Sequence, residues 1–132
     1  MNPLYDQIAD RADHRCEYCR APERAFNFRF DVEHIVPKSK QGSDSHDNLA
    51  LSCRSCNLHK SNRTMATDPE TQIETSLFNP RQDHWNDHLQ VMPNYEIIGE
   101  TAIGRATVIC LNMNNTPQIF ARQLWVEWNL FP

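Results

Sequence analysis

The chain opens on a helical pattern. Leu4, Ile8 and Ala12 recur at helical spacing behind Asn2-Pro3, an N-cap followed by proline at the first helical position, and this predicts a helix over about 3–13. The period then changes. Phe26, Phe28 and Phe30 alternate with Asn27, Arg29 and Asp31, which predicts a strand that delivers Val32, Glu33 and His34 at its end and is stopped by Pro37. A polar loop, KSKQGSDSHDN, follows and is built on Gly42. Residues 49–51 (LAL) read as a short second strand and residues 54–63 as a helix, so the order strand, loop, strand, helix is a ββα unit. Residues 64–80, punctuated by Asp68-Pro69 and Asn79-Pro80, read as a linker or extended wrap. Beyond them the pattern predicts a helical turn over 81–87 and a hairpin of 89–92 with 95–98 across Pro93-Asn94. A helix capped by Thr101 then runs to about 112, and a last helix capped by Thr116-Pro117 runs to about 129.

At 132 residues and 39% hydrophobic content the chain supports a modest core, of a size that often needs a staple. The expected organisation is a core over 1–66 with an extension over 67–132 packed on it. No run of about 18 apolar residues occurs, so no membrane span is expected. MNPLYDQIADRADHR is charged and lacks a signal-peptide stretch, which predicts a cytoplasmic protein whose thiols stay reduced. The net charge of −4 argues against a tight, salt-sensitive nucleic-acid binder, but it is unevenly spread. Residues 1–66 hold ten Lys and Arg against nine Asp and Glu, whereas residues 67–132 hold three against eight.

Cysteine usage sharpens the picture. Cys16 and Cys19 form one C-x2-C pair, Cys53 and Cys56 a second, with 33 residues between them. Four thiolates satisfy a tetrahedral zinc and close its shell, so such an ion is structural. The length between the pairs suits a clamp around an inserted hairpin. Free or buried thiols are the plainer alternative. A redox role is disfavoured because neither pair sits in a thioredoxin-like βαβ pattern. Cys110, in the apolar run ATVICL, reads as a small hydrophobe.

Inside the clamp lie residues suited to hydrolysing a phosphodiester, which needs a base for water and a cation for the phosphate charge. His34 has the chemistry of a base near neutral pH. Glu33 is a hard oxygen ligand for Mg2+ or a similar ion. Adjacent strand residues point to opposite faces, so the two share a site only where the strand ends or bends. Lys60 falls one helical turn after Asn57, where it would hold a phosphate or stand as an ordinary surface lysine. Arg54 and Arg63 are expected to touch a backbone or be solvated. His14, His46 and His59 are expected to lie outside the site. His84 and His88, four apart in DHWNDH, lack a third ligand and read as structural or surface residues.

VEHIVP, GSDSHDNLALSC and CRSCNLHKSNR together resemble the HNH endonuclease family, over about residues 14–63. The resemblance implies an α+β protein: a small ββα-metal nuclease core stapled by a four-cysteine zinc, with a C-terminal hairpin-plus-helices extension. It implies that His34 is the general base. Asn48 would fix the loop that orients it. Asn57 would be a metal ligand on the helix, making this an H-N-N variant, and Glu33 a second ligand where Asp is commoner. It further implies structural Zn2+ and a catalytic Mg2+ or Mn2+, with other divalent ions open. The partner is DNA, with RNA left open, and the products carry 5′-phosphate and 3′-hydroxyl ends. SLFNPRQDHWNDHL and RQLWVEWNLFP more weakly resemble the C-terminal extension of a bacterial subgroup of small HNH proteins, and this half is open as a homodimer or protein-partner surface. The competing class is a non-catalytic zinc module that binds nucleic acid or protein.

Overall fold

The computed structural model describes residues 2–132. Helix α1 spans Tyr5–Arg11, shorter at both ends than its sequence pattern. Asn2 caps it from a distance, its Oδ1 accepting from the Leu4 amide at 2.7 Å. The buried face is Tyr5, Ile8 and Ala9. Asp13 and His14 then take positive φ, turning the chain sharply into Cys16.

The Phe26–Phe30 alternation is not a strand. A 3-10 turn at Glu23–Ala25 precedes it, and the first regular strand, β1, is Asp31–His34. The aromatic spacing serves packing instead. Phe26 lies edge-on to Phe28 and Phe30, at centroid separations of 5.6 and 5.0 Å, and leans on Trp125. The Phe30 amide donates to Glu23 Oε2 at 2.7 Å rather than to a neighbouring strand. β1 pairs antiparallel with β2, Leu49–Ser52, in a register that sets His34 opposite Leu49 and Glu33 opposite Ala50. Every residue of β2 is buried, so the pair rests on the core. Helix α2 follows at Arg54–Lys60, with Cys53 as its N-cap, and ends at Ser61 in a positive-φ conformation. Strand, strand and helix thus occur in the expected order, with a shorter helix.

Residues 64–80 are not a linker. They contain an antiparallel hairpin of β3, Met65–Thr67, and β4, Glu74–Ser76. No apolar alternation announces it, because what orders it is a buried polar residue. Asp68 accepts from the Glu70 amide and the Thr71 hydroxyl, at 3.1 and 2.8 Å. The Arg105 guanidinium closes on both of its oxygens as a fork, at 2.9 Å each. After the short helix α3, Trp85–His88, strands β5, Leu89–Val91, and β6, Ile97–Gly99, form the expected hairpin. Helix α4, Ala102–Cys110, is capped by Thr101. Helix α5, Thr116–Glu127, is capped one residue earlier than expected, by Asn115, and carries Pro117 in its first turn. Cys110 is partly buried against the core.

One apolar cluster crosses the 66/67 boundary, joining Ile8, Tyr18, Leu49 and Leu51 to Phe78, Trp85, Leu111, Trp125 and Phe131. Polar ties cross it as well: Trp85 Nε1 donates to Tyr18 O at 2.7 Å, Arg15 to Leu130 O at 2.8 Å, and Arg81 pairs with Glu17. Among the described residues no helix is long and apolar enough to cross a membrane.

Arg105 holds the Asp68 carboxyl well below the ordinary carboxylate range. A depressed folded value stabilises the protein at every pH above the unfolded carboxylate value of about 3.9, and that share is lost as pH falls toward the folded value. The expected result is that Asp68→Asn lowers the melting temperature by several degrees at neutral pH and flattens the acid limb of stability against pH. Superimposable curves for variant and wild type would show that the β3–β4 hairpin does not depend on this pair.

Candidate functional site

The four cysteines of the two pairs are brought together. Their Sγ atoms all lie within 4.8 Å of one another, all four residues are buried, and none forms a disulfide. Tetrahedral zinc with bonds of about 2.3 Å places its sulfurs about 3.8 Å apart, and Cys19 Sγ to Cys53 Sγ is 3.7 Å. In each knuckle the amide of the second cysteine points at the sulfur of the first, Cys19 N at 3.5 Å and Cys56 N at 3.4 Å. Such donors favour the thiolate form that zinc requires. The donor set therefore fits a structural zinc. Among the described residues no other group of three or more His, Cys, Asp or Glu is placed to hold a metal.

His34 is the last residue of β1, and its ring stands partly open to solvent. Nε2 lies 2.7 Å from Asp44 Oδ1, in the loop between β1 and β2. Lys38 donates to the other oxygen of Asp44 at 2.9 Å. Lys38 first and His34 second hold the Asp44 carboxyl below its ordinary value. An ionised carboxylate only accepts, so the bond to Asp44 calls for a proton on Nε2 and leaves Nδ1 as the ring nitrogen not engaged by it.

Asn48 spans the base of the same loop. Its Oδ1 accepts from the Val36 amide, and its Nδ2 donates to Val36 O and Ser43 O, at 2.9, 2.9 and 2.8 Å. Its own carbonyl accepts from the Ile35 amide at 2.9 Å. The segment just after His34 is thereby tied on both sides. Gly42 allows this closeness: a Cβ there would stand 1.7 Å from Val36 O, so a side chain at this position forces the loop off Asn48.

Glu33 and His34 do not converge. Along β1, Asp31 and Glu33 share the face turned to α2, and His34 lies on the other. Glu33 is 6% exposed, and its carboxylate accepts from Tyr18 Oη and from Lys60 Nζ, the latter at 3.1 Å. Burial pushes its carboxyl up, while Lys60 and Tyr18 pull it back toward the charged form. Burial and the Glu33 charge keep Tyr18 a neutral phenol, well above its ordinary pKa. Lys60 is not presented to a phosphate. It is 1% exposed, because the shortened α2 ends with its side chain turned under β1. Asn57, one turn earlier, donates from Nδ2 to Asp31 Oδ2 at 3.1 Å, and among the described residues its Oδ1 accepts from no donor. The carboxylate that meets Asn57 is thus Asp31 and not Glu33.

The remaining candidates are occupied locally. His59 Nδ1 donates to Ser55 O within α2, Arg63 just beyond α2 donates to His59 O, and the Arg54 guanidinium lies 5.4 Å from the centre of the Phe28 ring. His14 sits between Glu23 and Asp10, and His88 contacts Thr101. Arg11 donates to the carbonyls of His46 and Leu49, pinning the loop end. The residues that sequence reasoning missed are Asp44, Tyr18 and Asp31. Period-2 alternation from Glu33 points to Asp31. Nothing in the sequence marks Asp44, which reaches His34 only through the loop's path.

Residues 16–63 match the protein-family model described as HNH endonuclease, a stretch that holds both knuckles, His34, Asn48, Asn57 and Lys60. No curated protein gives a significant match to the chain, and no solved structure does.

If the clamp carries zinc, the purified protein contains one zinc ion per chain. Its removal by a thiol-displacing reagent and chelator is expected to abolish the cooperative thermal transition, because the knuckles are then joined only by the Glu17–Leu51 hydrogen bonds and a small core. An unchanged transition in the zinc-free protein would show that the clamp is dispensable.

Proposed function

We propose that the HNH endonuclease domain at residues 16–63 hydrolyses DNA phosphodiester bonds with the help of a divalent cation, with His34 as general base. The observation that carries this reading is the His34–Asp44 pair at the open end of β1, beside a loop fixed by Asn48, within a stretch that matches the family model. Asp44 accepts the Nε2 proton and would stabilise the ring once it is charged, so Nδ1 is the atom that takes a proton from water. Asn48 holds the backbone that follows His34 and so limits where the ring can sit.

A divalent cation, Mg2+ or Mn2+, would neutralise charge on the phosphate and its leaving oxygen. The β1–α2 seam offers oxygen ligands on the face of β1 away from His34, so an ion there would meet a phosphate at His34 only around the end of the strand. Asn57 offers Oδ1 there, and the strand offers two carboxylates. Asp31 already touches Asn57, whereas Glu33 would have to leave Lys60. Two protein oxygens are enough for an ion that keeps several waters and takes up substrate oxygens. The same arrangement also admits a second reading, a zinc-stapled module that binds nucleic acid without cutting it. What favours that reading is the commitment of Glu33 to Lys60 and, among the described residues, no group of three or more His, Cys, Asp or Glu placed to hold a metal other than the four cysteines.

Protein with its zinc in place is expected to nick or linearise plasmid DNA when Mg2+, Mn2+ or Ni2+ is added, and not in their absence. His34→Ala should reduce the rate by at least about 100-fold, the scale of a lost general base. Asn57→Ala and Asp31→Asn should raise the concentration of ion needed. Cleavage undiminished in His34→Ala would remove the proposed base. Tight DNA binding with no cleavage under any of the three ions would favour the non-catalytic module.

A further inference from the structure

Three buried polar side chains have no place in the chemistry above. Tyr18, Glu33 and Lys60 are 1%, 6% and 1% exposed, yet they come from the first zinc knuckle, from β1 and from the last turn of α2. Tyr18 lies between the ligand candidates Cys16 and Cys19, and its carbonyl is fixed by Trp85. Its hydroxyl donates to Glu33 Oε1. Glu33 Oε2 accepts from Lys60, whose other two donations go to His34 O at 3.3 Å and Ile35 O at 2.9 Å.

An ammonium has three protons, and here each has a partner. Both carboxylate oxygens of Glu33 are likewise taken. A fully satisfied buried network of this kind is rigid, because breaking any one bond strands a polar group without water. Its far end is the backbone at which β1 stops. The carbonyls of His34 and Ile35 are held by Lys60, while the Ile35 amide and both polar groups of Val36 are held by Asn48.

We propose that Lys60 is a positioning residue: with Glu33 and Tyr18 it forms a strut from the zinc knuckle to the backbone of His34 and Ile35, and this strut sets the attitude of the His34 ring. Glu33 is then a member of the strut and not a ligand of the catalytic ion, and Asp31 is the β1 carboxylate left for that ion. The inference rests on the reading of His34 as the base only for its effect on cleavage. Its effect on the ring is separate.

The test uses the zinc-loaded full chain and two variants that leave no unpaired buried charge. Tyr18→Phe removes one hydroxyl. The double variant Glu33→Gln, Lys60→Met neutralises the pair at nearly constant volume. Zinc content and cooperative melting establish that each is folded, and Tyr18→Phe is the fallback if the double variant is not. The readouts are the nitrogen and carbon resonances of the histidine rings, Mn2+ affinity measured directly on the protein, and single-site cleavage kinetics. The expected result is a displacement of the His34 ring signals with those of His14 unmoved. Mn2+ affinity should stay within about twofold, and kcat should fall about tenfold or more with KM little changed. Unmoved His34 signals in a folded variant would overturn the strut. So would a loss of Mn2+ affinity of tenfold or more in the double variant, since that would make Glu33 an ion ligand. If the wild type cuts nothing, the nuclease reading fails while the ring signals still decide the strut.

Discussion

Everything in this molecule depends on bringing two cysteine pairs, 33 residues apart in sequence, to one point. Closing so long a loop costs chain entropy that a small core is poorly placed to offset. Four sulfurs within 4.8 Å of one another show that the fold meets that constraint, and a metal–thiolate cluster is the interaction with the strength to hold it. Once the pairs meet, the positions of β1, β2 and α2 follow. β2 runs directly into Cys53, Cys53 caps α2, and Glu17, next to Cys16, accepts from the Leu51 amide of β2 at 2.8 Å.

The second layer of organisation is polar and buried. Glu33, Lys60, Asp68 and Arg122 are nearly or wholly excluded from solvent, which small cores rarely tolerate without full pairing. Asp68 orders a hairpin whose larger apolar side chains, Met65 and Ile73, are exposed rather than buried. Arg122, whose buried Nε has no hydrogen-bond partner among the described residues, donates from its two terminal nitrogens to the carbonyls of Tyr95 and Met113 and ties α5 to the turn of the β5–β6 hairpin. Glu33 and Lys60 do the same for the end of β1. The C-terminal half is therefore part of one continuous structure with the clamp, through both the shared apolar cluster and the Trp85–Tyr18 bond.

These two layers differ in how well the sequence displays them. The knuckles, the β1–β2–α2 order, the β5–β6 hairpin and the Thr101 cap of α4 could be read because each leaves a local mark: C-x2-C spacing, an apolar run, a Pro-Asn turn, a Thr before an apolar period; the cap of α5 is Asn115, one residue before the Thr116 expected. The motif marked His34 and Asn48 as candidates, and the structure shows Asn48 bonded to the loop that follows His34. The failures share a cause, which is that long-range contacts override local pattern. The phenylalanine alternation looks like a strand but builds an aromatic stack on Trp125, a residue far along the chain. The β3–β4 hairpin is invisible because its organiser, Asp68, depends on Arg105. Glu33 and Lys60 looked like site residues by spacing from His34 and Asn57, yet the structure pairs them with each other. Helical spacing put Lys60 on the face of Asn57 correctly. What it did not reveal was that this face lies against β1.

The central claim is that His34 supplies the base for hydrolysis, and chemical rescue tests it most directly. His34→Gly leaves a gap at the end of β1 that a free imidazole can enter. If His34 is the base, added imidazole restores divalent-dependent cleavage to His34→Gly, with a rate that rises with imidazole concentration, and does not restore it to Asn57→Ala. Absence of rescue in a folded, zinc-loaded His34→Gly protein that still binds DNA, or cleavage in that variant without any imidazole at the wild-type rate, would contradict the claim.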